Sequence, residues 1–154
     1  MKKLLIYFTL FSTLTLHGAF IDIKADHFYA NDINHEAFFE GNAIINQGSN
    51  MITAQKIKVS FNHKRKATKY EASGGVSFDL MENGIQYQGQ AYSIEYAPKS
   101  SEYLFIGDVV LQDLTNNRTI KAEMITLDLK TGLADVKGSE KKPVHFRFEI
   151  EDRE

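Results

Sequence analysis

Three glycines, Gly41, Gly74 and Gly107, stand 33 residues apart twice over, each inside the same phrase. The copies read Phe39-x-Gly41-x-Ala43-x-Ile45, Ala72-x-Gly74-x-Val76-x-Phe78 and Phe105-x-Gly107-x-Val109-x-Leu111, with a degenerate fourth at Ala134-x-Val136-x-Gly138. A second phrase alternates with the first. Ile52-x-Ala54-x-x-Ile57-x-Val59-x-Phe61 corresponds to Tyr87-x-Gly89-x-x-Tyr92-x-Ile94-x-Tyr96 and to Ile120-x-Ala122-x-x-Ile125-x-Leu127-x-Leu129. Ile23-x-Ala25-x-x-Phe28-x-Ala30 is a further copy. A fixed period of this length marks a repeat architecture, in which one small unit recurs and only stacking buries its apolar face.

Within each phrase the apolar residues recur at every second position, the pattern of a strand with one buried face. The x-x step between Ala54 and Ile57 breaks that alternation by one residue. A β-bulge or bend there restores the apolar side to the same face, and the recurring alanine or glycine suits a tight bend or close strand approach. Turn chemistry separates the phrases at "NQGSN", "NHKRK", "MENG", "APKSS", "LTNNR" and "KTG". The chain is therefore expected to be all-β, with about four two-strand units stacked as an elongated solenoid or twisted jelly roll. Alternation directs Ile23, Phe39, Ile45, Val59, Phe61, Val76, Phe78, Ile94, Tyr96, Val109, Leu111 and Leu127 inward. Two readings of that apolar stripe remain open: a dry core, or a groove open enough to take acyl chains, with glycine and alanine leaving room. The end strands of such a sheet are unpaired and ready to accept a strand from another chain.

At 154 residues, 43% apolar and 25% charged, the chain has the composition of a single globular domain. A formal charge of −2 argues against a nucleic-acid partner. The absence of cysteine removes disulfides, thiolate zinc sites, cysteine nucleophiles and a lipidated-cysteine anchor. Lys2 and Lys3 followed by "LLIYFTLFSTLTL" and "HGAF" have the form of a secretory signal peptide, residues 1–19, leaving residues 20–154 as the mature domain. Loss of the two lysines takes the net charge to −4. An uncleaved anchor is the competing reading, weakened by Thr9, Ser12, Thr13, Thr15, His17 and Gly18 in the span.

No catalytic or metal-binding constellation is expected. His27, His35, His63 and His145 fall in different units, and Asp22/Asp26 and Glu149/Glu151 have the spacing of a polar strand face or a tail. No nucleophile elbow, phosphate loop or zinc signature is present. The run "HKRK" (63–66) with Lys69 is the one basic cluster, read either as a solvated loop or as a contact for phosphates or an acidic partner.

The phrases "IDIKADHF", "FFEGNAIINQGSNMITAQKIKVSF", "SGGVSFDLMENGIQYQGQAYSIEY" and "FIGDVVLQDLTNNRTIKAEMITLDL" together resemble the OstA/LptA-like periplasmic domains of the lipopolysaccharide transport system. The resemblance covers about residues 21 to 138 and includes a G-[ND]-[VA]-x-[IL]-x-Q pattern at Gly41–Gln47 and, with the glutamine one place early, at Gly107–Asp113. It implies a twisted β-jelly roll that holds the acyl chains of lipopolysaccharide inside and joins head to tail through its edge strands. It also implies an LptC-like inner-membrane partner, an LptD-like outer-membrane partner, no cofactor and no enzymatic activity. Motif positions carry lipid contact onto Ile21, Ile23, Phe78 and Tyr96. An LptC-like anchored relay shares the repeat, whereas the length is too short for a full LptD barrel. "GG" at 74–75 departs from the usual pattern, and "KKPVHFRFEIEDRE" has the look of a last strand and a charged end.

Overall fold

In the computed structural model, which describes residues 20–150, the chain forms ten strands in one antiparallel sheet. The strands are β1 Asp22–Lys24, β2 His27–Asn31, β3 Glu36–Gln47, β4 Asn50–Phe61, β5 Ala67–Glu82, β6 Ile85–Ala97, β7 Glu102–Asp113, β8 Arg118–Asp128, β9 Leu133–Lys137 and β10 His145–Phe148. From β3 to β8 each strand pairs with its sequence neighbour. The connections are hairpins where turn chemistry placed them. Asn83 and Gly84 have φ of 51° and 77°, the two left-handed residues that a tight Asn-Gly hairpin requires.

A line of β-bulges crosses the long strands near their middles and divides the sheet into two arms. At the bulges Gly41-Asn42, Gly74-Gly75 and Gly107-Asp108 place two residues opposite the single residues Gln55, Tyr92 and Glu123. All six are left-handed, with φ of 83° and 47°, 84° and 79°, 85° and 45°. Only glycine enters that region freely, and Asn and Asp are the side chains that tolerate it. Space is short as well as conformation. A Cβ on Gly107 would lie 2.6 Å from Tyr92 Cβ, and one on Gly74 2.8 Å from Gln55 Cβ. The bulge thus falls at the step where alternation broke, but the extra residue sits on the glycine strand, not on its partner. These glycines shape the crease and close-pack it; they do not leave room for a ligand.

The first arm is edged by β2 and β9, the second by β1 and β10. Three rows of paired residues run the length of the sheet. Ile23, Ile45, Ile52, Phe78, Gly89, Leu111, Ile120 and Phe146 cross the second arm. Phe28, Phe39, Ile57, Ala72, Ile94, Phe105, Ile125 and Val136 cross the first. Farther from the crease on that arm run Ala30, Ala37, Val59, Tyr70, Tyr96, Tyr103, Leu127 and Ala134. This register corrects one expected correspondence. The middle copy of the second phrase is Gly89-x-Ala91-x-x-Ile94-x-Tyr96, two residues later than the sequence reading, and Tyr92 is 65% exposed. Gly89 hid the frame because it has no side chain to mark its row. The Phe78 ring fills the space instead, with Cζ 2.9 Å from where a Cβ would sit.

The arms fold toward each other about the crease. Phe78 of the second arm and Phe105 of the first lie on non-adjacent strands, yet their rings are 5.0 Å apart. Ile57, Phe105 and Ile125 are completely buried between the arms.

Candidate lipid-binding interior

The residues expected inside are inside. Val59, Val76, Phe78, Ile94, Val109, Leu111, Ile45 and Leu127 are buried, and Ile23, Phe39, Phe61 and Tyr96 are partly buried against the same core. Ile21 is 37% exposed at the β1 end, where it lines a narrow gap with Ile45, Ile52, Leu80, Tyr70, Tyr96 and Tyr103. The apolar stripe is continuous, but its openness is not. That gap is about 40 Å³, little more than the roughly 30 Å³ share of one water. An acyl chain enters the middle only if the arms part.

At the β9/β10 end the interior widens. A cavity of about 370 Å³ lies between the arms, lined by Tyr87, Leu111, Ile120, Leu127, Val136 and Phe146. That volume is in the range of small-molecule pockets, roughly 300–1,000 Å³. Phe146, on the strand that the sequence reading placed after the repeats, stands 46% exposed in this mouth. Its lining role was not anticipated, because only the β8–β10 pairing brings it beside Ile120.

Among the described residues, polar groups at the interior are few and each buried side-chain polar atom has a partner. Tyr103, 4% exposed on the first arm, donates to Glu82 Oε1 of the second at 3.1 Å, and Asn50 Nδ2 donates to the same oxygen at 2.9 Å. Burial, and then the Glu82 carboxylate, push the Tyr103 phenol far above its ordinary value, so it remains a donor. Asn83 Nδ2 donates to the Leu129 carbonyl at 3.0 Å, a second tie between the arms. Asp113, only 6% exposed at the C-terminal mouth, accepts from Arg118 Nη2 at 2.5 Å and Nε at 3.1 Å, and from Asn116. Burial works against its charge, but Asn116 and Arg118 outweigh it and hold the carboxyl below its usual value. In the sequence Asp113 is only the end of a motif; its charge pairing needs the β7–β8 register.

The expected bystanders have local roles. Asp26 Oδ2 accepts from Asn42 Nδ2 at 2.9 Å beside the first bulge, and Glu149 accepts from Asn117. His35 and His63 meet edge to face at 5.5 Å. Among the described residues no group of three or more His, Asp or Glu has the geometry of a metal site.

A creased antiparallel sheet with an apolar interior, a hollow C-terminal end and ties between its arms defines a β module of two arms folded over one apolar face. The model of the LptA/(LptD N-terminal domain) lipopolysaccharide transport proteins matches residues 22–133, and the chain belongs to that family. The fold is similar to that of LptH from Pseudomonas aeruginosa, described as the LptA-homologous periplasmic component of the conserved lipopolysaccharide transport device. That similarity has a TM-score of 0.72 at 14% identity and covers 84% of this chain and 95% of LptH. Among curated proteins no sequence match is found.

Proposed function

We propose that this chain is a periplasmic carrier that passes lipopolysaccharide between membranes, with the lipid acyl chains held between the two arms. The observation that carries the reading is the unbroken inward row from Ile23 at one end to Phe146 at the other, lying within a family of lipopolysaccharide transport proteins. Each CH₂ removed from water contributes about 0.8 kcal/mol. Several chains are therefore held firmly, while a nearly uniform row keeps the cost of each forward step small. The carrier is non-enzymatic, and the energy for transport comes from an ATPase elsewhere. Residues 1–19, outside the described residues, act as a cleaved signal peptide, and the domain comprises residues 20–154.

The partners in this reading are an LptC-like protein at one end, an LptD-like protein at the other, and further copies joined head to tail. The edges β1/β2 and β9/β10 support it by offering short strands, each paired on one side and free on the other. An anchored LptC-like relay is not favoured, because the matching family model is the one for LptA and the LptD N-terminal domain.

A photo-crosslinker at Ile23, Phe78 or Leu111 tests the carrier reading in cells. Lipopolysaccharide adducts should form at these inward positions. They should not form at Lys58, whose Nζ pairs with Glu36 at 2.9 Å on the outer face. Adducts absent from all three inward sites would overturn the reading.

A further inference from the structure

The hairpin loops of the two arms differ in charge. Loops at the free rim of the first arm, the edge remote from the crease, span residues 32–35, 62–66, 98–101 and 129–132, and they carry Lys64, Arg65, Lys66, Lys99 and Lys130. Loops on the opposing rim, 48–49, 83–84 and 114–117, carry no lysine, arginine or histidine. All five cations are exposed, and none forms an ion pair with a described residue. Asp32 is the one acid in these four loops. The loops touch along the rim: Phe61 N donates to the His35 carbonyl at 2.8 Å, and Leu129 N to that of Ser101 at 3.0 Å. Lys130 Nζ caps the Lys99 carbonyl at 2.8 Å. Because strands lie roughly 4.8 Å apart, successive loops on one rim stand roughly 10 Å apart.

The charge meets the apolar interior at a defined place. A cavity of about 430 Å³ at the N-terminal end of this rim is lined by His35, His63 and Arg65 and by the carboxylates Asp32 and Glu36, with Phe61 and Ala37 beneath them; Glu36 is paired with Lys58 Nζ at 2.9 Å. Ala37 is buried in the interior row that continues through Val59 and Tyr70, and Phe61 packs against the core. A phosphate bound by the cations would therefore have its attached chains directed toward the apolar rows.

We propose that the rim of the first arm is a cationic lip that binds the phosphate groups of the carried lipid, starting at His35, His63 and Arg65 and continuing through Lys99 to Lys130. This deepens the carrier reading and rests on it. The lip holds the headgroup outside while the interior takes the chains, and its repetition lets a phosphate move from one loop to the next without leaving a cationic surface. An acidic protein segment is the competing ligand. The apolar floor of the cavity favours an amphiphile, because a charged peptide gains nothing from Phe61 and Ala37.

The test uses the full mature chain and the triple variant Lys64→Gln, Arg65→Asn, Lys66→Gln. Asparagine is chosen because Arg65 has a φ of 60°, which asparagine tolerates. Lys121→Gln on the outer face serves as control. Binding of bis-phosphorylated lipid A should weaken by roughly tenfold in the triple variant, which loses three exposed charge contacts, and the parent's binding should weaken as salt is raised. Binding of dephosphorylated lipid A should change less than twofold, and the control should match the parent. Equal losses for the two lipids, no loss for either, or stronger binding of a polyglutamate peptide at the same salt would overturn the lip. If the parent binds neither lipid, the carrier reading fails. The lip is then read by pyrophosphate titration followed by amide shifts: changes confined to residues 35, 62–66, 99 and 130 sustain it, and no changes overturn it.

Discussion

The middle of the molecule and its C-terminal mouth are made from the same rows of residues, yet one is shut and the other hollow. In the middle, Phe105 is fully buried against Phe78, and the Tyr103–Glu82 tie holds the arms together beside a gap of about 40 Å³. At the mouth, β9 and β10 replace long strands with short ones, and about 370 Å³ opens between Leu111, Leu127 and Phe146. A sheet creased along bulges closes where strands from both arms are long enough to meet. It gapes at the C-terminal end, where β9 and β10 run out. A conduit of this design is therefore primed at its C-terminal mouth and must open in its middle.

Phe105→Ala should give the largest effect, a loss of about 3–5 kcal/mol in urea unfolding, since a ring is removed from a site that cannot collapse. Phe146→Ala, half exposed in the mouth, should cost under about 1 kcal/mol. Equal costs would break the distinction between a closed middle and an open end.

The crease is tested next. Gly107→Ala forces a left-handed alanine, about 1–3 kcal/mol, and also drives its Cβ into Tyr92. Gly75→Ala at a φ of 79° meets only the first cost, because nothing lies within 4 Å of its Cβ. Thermal unfolding should rank Gly107→Ala as the less stable; the reverse order would remove close packing as a reason for the repeated glycine.

Tyr103→Phe sharpens the comparison by keeping the ring and deleting the tie between the arms. It should cost about 1 kcal/mol and speed amide exchange over 79–84 and 102–106 without changing it at the crease. Unchanged exchange would mean that packing alone keeps the middle shut. The smallest effect is expected at Asp113. Its folded carboxyl titrates below the ordinary 3.8, so its contribution is complete above that value and is lost as pH falls through the lower folded one. Stability of the parent should thus fall more steeply below about pH 4 than that of Asp113→Asn. Parallel curves would show that the Arg118 pairing contributes nothing at the mouth.

The strands, their inward faces and most turns were legible because alternation and turn chemistry are local. Val59, Phe78, Leu111 and Leu127 could be placed inside from period two alone, and Asn83-Gly84 announced its hairpin. The bulge side, the frame of the middle repeat, the paired charge of Asp113 and the lining role of Phe146 were not legible. Each depends on which residue lies across from it on a neighbouring strand. Gly89 is the clearest instance, since its place in the row is visible only through the Phe78 ring that overlies it.

By itself the sequence determined an all-β repeat with one apolar face, because side-chain direction in a strand follows from residue count. The tertiary structure decided where that face is sealed and where it is open. Phe78 and Phe105 point the same way in any reading of the pattern. They touch because pairs of left-handed residues on β3, β5 and β7 fold one arm onto the other, and that contact closes the middle while the short edge strands leave the mouth open.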